Sequence, residues 1–451
     1  MWTKYREISL ILIFALLIRL VLFLFLEPWN SYVINSSFFL VPDTKEYQNL
    51  ALGLLNNHNF NDYNYFRTPG YPLLIAFFYS IFGIKPWIII LFQILISLIS
   101  IFVTYLLANE MFNKKIGIIS AFIFSIEPHS VLHTTIFLAD TILILLFLLS
   151  AFSLYNSIKK EKLSLLILSA ILLGVSTYFK QITQYYLIIG IILIFVYNKT
   201  SILIKTKKSI IYLIFYFIII SPWMFHNYLK FNHFQFATTQ GYNLLMDNVS
   251  IVELNIKHKT IKEVRKEFRN IAKNSLNENS NQFDYSDTYH KIAFEYIKNH
   301  PFIYAKYHLS GIKNFFLTLN THTFMRHFGF VNNENPISLY DNTKNSFFQS
   351  VNLFFKTKPI LEILIGLSIA IYLSIIYILF GFGAYFIFKE KNYFLLFFIV
   401  SIIIYFAILS GAIGYARYKL PVIPFYTIVG AYGFNIILNK IKNQSLTKKN
   451  I

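Results

Sequence analysis

Residues 8–26 read "ISLILIFALLIRLVLFLFL", and residues 41–74 read "VPDTKEYQNLALGLLNNHNFNDYNYFRTPGYPLL". The first stretch decides the fold class. It matches the roughly 20 apolar residues that a helix needs to cross the hydrocarbon core of a bilayer. Charges are scarce near buried membrane chain, yet Asp43, Lys45, Glu46, Asp62 and Arg67 follow closely, ahead of the helix-breaking "TPGYP". Of the 451 residues, 56% are hydrophobic and 19% aromatic against 14% charged. A soluble domain cannot hide that much apolar surface. The composition predicts an all-α polytopic membrane protein.

Similar apolar runs recur at 86–108, 116–133, 140–156, 163–179, 183–198, 209–225, 359–388, 393–412 and 418–438. With 8–26 they make about ten spans. The shorter run 70–83 reads as a re-entrant or interfacial helix. Lys and Arg alternate between the connections. Lys4 and Arg6, Lys114 and Lys115, Lys159, Lys160 and Lys162, Lys199, Lys205, Lys207 and Lys208, Lys389 and Lys391, and the tail from Lys440 form one basic set. The positive-inside rule places that set, and both termini, in the cytoplasm of a cell (cytoplasmic or inner) membrane. A general lysine bias would not alternate, so the net charge of +19 points to topology rather than to nucleic acid. Three modules are expected: a transmembrane module 1–229 with an outer loop 27–85, an extracytoplasmic helical segment 230–358, and a transmembrane module and tail 359–451. In the middle segment Ile261, Val264, Phe268 and Ile271 share a helical face, "NENSNQFDYSD" (277–287) reads as a linker, and Pro301 breaks a second amphipathic helix. Residues 8–26 lack an A-x-A site before Glu27 and read as a retained span. The chain has no cysteine, so no disulfide framework is available.

The chemistry-bearing stretches fall on the outward connections: Asp43 and Arg67 in the first, "EPHSVLHTTIFLADT" with Asp140 in the second, "YFKQ" with Lys180, "PWMFHNYLKFNHF", and "GYARYKLP" with Arg417 and Lys419. Asp43 and Glu46 have capping-box spacing, and Asp140 has the position of an N-cap. Arg67, Arg417 and Lys419 can meet lipid headgroups or bind a substrate phosphate, which a guanidinium grips through two oxygens. Arg19 lies roughly 10 Å below the outer surface at helical rise, so it needs a carboxylate such as Asp140 or a lipid phosphate. His129, His133, His226 and His233 lack metal-ligand spacing; no cofactor is implied with certainty, and a divalent metal stays open. Transfer of a sugar from a lipid phosphate needs one base and fixed cations for the departing phosphate. One carboxylate with Arg67, Arg417 and Lys419 supplies that set. A transporter or flippase of lipid-linked sugars, and an O-antigen ligase or polymerase, are the alternatives.

In these residues the chain resembles the GT-C membrane glycosyltransferases, closest to glycosyltransferase family 39, which includes protein O-mannosyltransferases and the aminoarabinose transferase of lipid A. The resemblance rests on "PDTKEYQNLALGLL", "FRTPGYPLLIAFFYSIFG", "GVSTYFKQITQ", "SPWMFHNYLKFNHFQFATTQGYNLLMDN", "IKNHPFIYAKYHL" and "GYARYKLPVIPF", in that order from about residue 40 to 430. It implies a GT-C helix bundle, a polyprenyl-phosphate-linked sugar donor, and a lipid, glycan or protein acceptor. It implies that Asp43 is the base, that Arg67 and Arg417 bind donor phosphate, and that Asp140 is a second acidic site. Lys419, Lys180 and Arg19 are further phosphate candidates; Glu46, Tyr71, His226 and Asn227 are further pocket candidates. His226 stands where such proteins usually carry arginine, Lys180–Gln181 replaces Arg-Pro, and Asp247–Asn248 replaces Gly-Asn.

Overall fold

The computed structural model describes residues 2–30, 42–57, 59–60, 63–197, 200–330, 352, 355–356 and 358–449. Asp62, Lys199 and most of 331–357 lie outside the described residues. Among the described residues there is no strand. The first half runs α1 (Trp2–Leu26), α2 (Pro42–Asn57), α3 (Gly70–Phe82), α4 (Pro86–Met111), α5 (Lys114–Ser125), α6 (Pro128–His133), α7 (Asp140–Lys160), α8 (Leu163–Phe179), α9 (Tyr186–Val196) and α10 (Ile202–Phe231). The second half runs α11 (Thr239–Tyr242), α12 (Ser250–Lys257), α13 (Ile261–Asn274), α14 (Gln282–Asn299), α15 (Pro301–Leu317), α16 (Thr321–His327), α17 (Ile360–Lys389), α18 (Tyr393–Leu409) and α19 (Ile423–Lys449).

Among the described residues six helical stretches are long and apolar enough to cross a membrane: 6–26, 86–111, 140–160, 202–231, 360–389 and 416–441. Shorter apolar helices lie at 70–82, 163–179, 181–196 and 393–409. The multi-pass reading holds, but of the ten expected spans 163–179, 183–198 and 393–412 fall on shorter helices and 116–133 on none of the long ones. The run 116–133 is not one helix. It stops at Ser125 and restarts at Pro128, because Glu127 caps α6 by accepting from the Ser130 N–H at 2.5 Å. A proline at the first helical position favours this restart.

Burial sorts the helices. The stretches 140–160 and 416–441 are 83% buried, whereas 6–26 is 22% and 360–389 is 28% buried. Helix α7 and the last helix therefore form the centre, and α1, α10 and α17 turn apolar side chains such as Leu17, Ile218 and Ile371 outward. In lipid such a surface is solvated rather than penalised. The segment 239–317 has its own small core of Leu245, Met246, Val249, Val264, Phe268 and Ala293. Val264 and Phe268 face it as the periodicity predicts, but Ile271 is exposed and Ala272 is buried instead. The stretch 277–287 is only half linker: Asn281 caps α14 in a capping box with Asp284, a stronger local signal than its polar composition.

Candidate active site

The "TPGYP" stretch locks the first connection onto the bundle. Thr68 donates to the Phe179 carbonyl at 3.0 Å. Gly70 packs so closely on α8 that a Cβ would stand 2.6 Å from the Tyr178 carbonyl oxygen. Buried Tyr71 donates to Gln93 at 2.7 Å, and Gln93 donates onward to the carbonyls of Thr134 and Ile136. Thr44 of α2 donates to the Phe137 carbonyl at 3.2 Å. Arg67, Lys180, Asp140 and Asp43 are thus carried by elements that are bonded to one another.

Six charged side chains converge into one network. Arg67 donates to Asp43 Oδ1 at 2.7 Å and to Glu46 at 2.6 Å. Arg417 donates to Asp43 Oδ2 at 2.7 Å and to Asp140 Oδ2 at 2.8 Å. Lys180 pairs with the other oxygen of Asp140. Asp140 is 2% exposed, while Asp43 keeps a quarter of its side chain open. Burial alone would raise the Asp43 carboxyl. Arg417 and Arg67 override it and hold the group at about 2, as opposite charges in contact do. Asp43 sits inside the first turn of α2, and Glu46 turns to Arg67. Asp140 is the first residue of α7 rather than its cap, because Lys180 and Arg417 claim its carboxylate.

Asp43, Glu46, Arg67, Lys180 and Arg417 line a cavity of about 1260 Å³. Its opposite wall comes from 238–248, Arg265 and 282–290. Five expected site residues stand elsewhere. Lys419 is fully buried beside Glu127, because residues two apart in a 3₁₀ turn (Ala416–Val422) point in different directions. Arg19 does not pair with Asp140. It donates to the carbonyls of Ala15 and Ser125 at 3.1 Å, and the carboxylate acting on it is Glu127. His226 bonds Tyr65 at 2.9 Å and stacks on Trp223. Asn227 donates to the carbonyls of Gln235 and Phe236. Tyr71 is likewise buried in packing rather than exposed to the cavity. Among the described residues no three His, Asp or Glu side chains converge to hold a metal ion, and the three carboxylates of the network, Asp43, Glu46 and Asp140, already face cations.

The bundle with this cavity at one end superposes on the oligosaccharyltransferase AglB from Archaeoglobus fulgidus, solved with an inhibitory peptide and a dolichol-phosphate (TM-score 0.57, 14% identity, all of this chain and 52% of that one). The fold is of the GT-C type. The apo oligosaccharyltransferase from Archaeoglobus fulgidus gives a TM-score of 0.56 at 13% identity, again over 100% of this chain and 52% of that one. The chain therefore spans about half the length of these GT-C chains. Residues 67–226 match the family model described as dolichyl-phosphate-mannose-protein mannosyltransferase. The curated Bacillus subtilis (strain 168) protein YkcB, named as a candidate mannosyltransferase, is 31% identical over 127 residues, 28% of this chain and 18% of its own. The cavity also holds Arg265, Tyr242 and Tyr289, which sequence reading does not single out, and Asp247, noted there only as a departure from Gly-Asn. An isolated charge in the apolar run "NLLMDNV" is the signal that marks Asp247 in the sequence.

Proposed function

We propose that the chain is an integral-membrane glycosyltransferase that moves a sugar from a polyprenyl-phosphate carrier to an acceptor hydroxyl on the extracytoplasmic face. The observation that carries this reading is the charged network, in which Asp43 and three cations share one cavity with the end of the apolar bundle. The acceptor oxygen attacks the anomeric carbon, and the bond from that carbon to the phosphate oxygen breaks. The electron pair leaves with the carrier phosphate, and the acceptor proton goes to Asp43. Arg67, Arg417 and Lys180 stand where growing negative charge on that phosphate needs them. Arg19 and Lys419 take no part in this scheme, since both lie beside Glu127.

A carboxylate held at about 2 is a poor base. The donor supplies the remedy. Its phosphate competes for Arg67 and Arg417, loosens their bonds to Asp43, and leaves the carboxylate free and more basic only when donor is present. The supporting points are the two-sided grip on Asp43, the family match over 67–226 and the GT-C fold.

The test is polyprenyl phosphate binding to the purified protein, read by native mass spectrometry, beside lipid-linked sugar analysis of cells lacking the gene. Wild type and Asp43→Asn should bind polyprenyl phosphate, Arg417→Ala should bind at least tenfold more weakly, and one carrier-linked sugar should accumulate in the cells. Absence of polyprenyl phosphate binding, or full sugar transfer by Asp43→Asn, refutes the proposal.

A further inference from the structure

The wall opposite the charged network has a different chemistry. Among the described residues that line it, Arg265 and His290 are the basic ones, and Arg265 is already paired: it donates to Asp247 at 2.7 Å and to the Met246 carbonyl at 2.8 Å. The half-buried rings of Tyr242, Tyr285 and Tyr289 line the same cavity. Tyr242 packs edge-on against Phe66 at 5.0 Å, and Tyr289 lies 6.3 Å from Tyr242. The wall thus joins flat apolar faces to a carboxylate and a guanidinium, with no unbalanced charge in the pair.

Sugars match that combination. Each ring offers a C–H face that packs on an aromatic plane, and hydroxyls that both donate and accept. A phosphate-rich acceptor needs converging cations, and Arg265 on this wall is already paired with Asp247.

A second observation comes from the backbone that carries Asp247. Residues Asn243–Val249 form a π-helical turn, a geometry found often at functional sites. Burial pushes the Asp247 carboxyl up, against the pull of Arg265, so the group is held in the cavity at a cost. The turn is also tied to the chain leading to Arg417. Asn248 accepts from the Ala412 N–H at 2.6 Å and donates to the Asn243 carbonyl at 2.9 Å. The wall and the charged network are therefore held in one register.

We infer that this wall is the acceptor subsite and that the acceptor is a neutral saccharide, packed on Tyr289 and Tyr242 and hydrogen-bonded by Asp247 and Arg265. The inference rests on the glycosyltransferase reading and specifies its acceptor. Binding rather than turnover tests it. The full chain in nanodiscs is screened on a broad glycan array and a Ser/Thr-rich peptide pool, and hits are titrated by saturation-transfer NMR.

Neutral oligosaccharides should bind. Tyr289→Ala and Asp247→Asn should each weaken them about tenfold, the worth of one good ring face or charged contact. Tyr289→Phe should retain most of the affinity, a rescue that a folding defect would not allow. Polyprenyl phosphate binding should stay within about twofold in all three variants. No saccharide binding, binding unchanged in Tyr289→Ala and Asp247→Asn, or binding confined to peptides or anionic glycans overturns the inference. If polyprenyl phosphate binding persists in that case, only the acceptor assignment falls. If it is lost in wild type as well, the transferase reading falls first.

Discussion

Arg417 is the side chain that joins Asp43 to Asp140, and its removal offers the sharpest energetic test of the network. Each of its bonds, at 2.7 and 2.8 Å, is charge-assisted and worth about 1.5–3 kcal/mol net. The two ends are not equal. Asp43 is a quarter exposed and keeps Arg67, so solvent and the second cation absorb much of that loss. Asp140 is 2% exposed and keeps only Lys180. Breaking a buried pair costs about 3–5 kcal/mol because it strands a charge; with Lys180 still present, the lower end of that range applies. Arg417→Ala should therefore lose about 3 kcal/mol of stability. Neutralising the stranded partner should recover part of it. The double variant Arg417→Ala with Asp140→Asn should be less destabilised than the sum of the two single variants, by about 1–3 kcal/mol. Unfolding by denaturing detergent in mixed micelles, followed by tryptophan fluorescence, gives all four corners of the cycle. Additivity within about 0.5 kcal/mol, or an Arg417→Ala variant as stable as wild type, would show that the contacts carry no coupled energy.

Three further outcomes follow from other contacts. As the proposed base, Asp43 would act only when ionised, and Arg417 and Arg67 hold its carboxyl at about 2; kcat/KM for the proposed transfer should lose no activity to Asp43 protonation until pH falls well below 4, whereas Arg67→Ala should move that acid limb up toward the ordinary carboxylate range near 4. An acid limb that stays in place in Arg67→Ala contradicts the pairing. Gly70→Ala would place a Cβ 2.6 Å from the Tyr178 carbonyl oxygen, so it should push α3 off α8 and cost about 1–3 kcal/mol, seen as a lower thermal midpoint; an unchanged midpoint would disprove the close approach. Gly411 has φ +65°, and a Cβ there would stand 1.9 Å from Asn248 Oδ1; Gly411→Ala should cost more stability than Asn248→Ala, whose lost hydrogen bond is worth about 1 kcal/mol, and the reverse ranking in the same melt would count against that contact.

The fold class was legible from residue composition alone, because lipid imposes one simple demand: apolar helices that satisfy their own backbone groups. The order of motifs from Asp43 to Arg417 was legible too, since each sits beside an apolar run whose period needs no tertiary information. The capping boxes at Thr260–Glu263 and Asn281–Asp284 join partners three residues apart, yet the second stretch reads as a linker in the sequence, and the box expected at Asp43–Glu46 does not form because Glu46 turns to Arg67 instead. Long-range pairing was not. Whether Arg19 meets Asp140 or Glu127 depends on which helix packs beside α1, and a hydropathy profile does not say. Nor does it say that Lys419 turns away from Arg417, a matter of how tightly the chain winds over 416–422. The wall of Asp247, Arg265 and Tyr289 stayed hidden for the same reason: its members lie on separate elements of the segment after α10, and only packing brings them to face Asp43. Local sequence sets what each helix can bury, while the geometry of charged groups far apart in the chain is decided when those buried faces find one another.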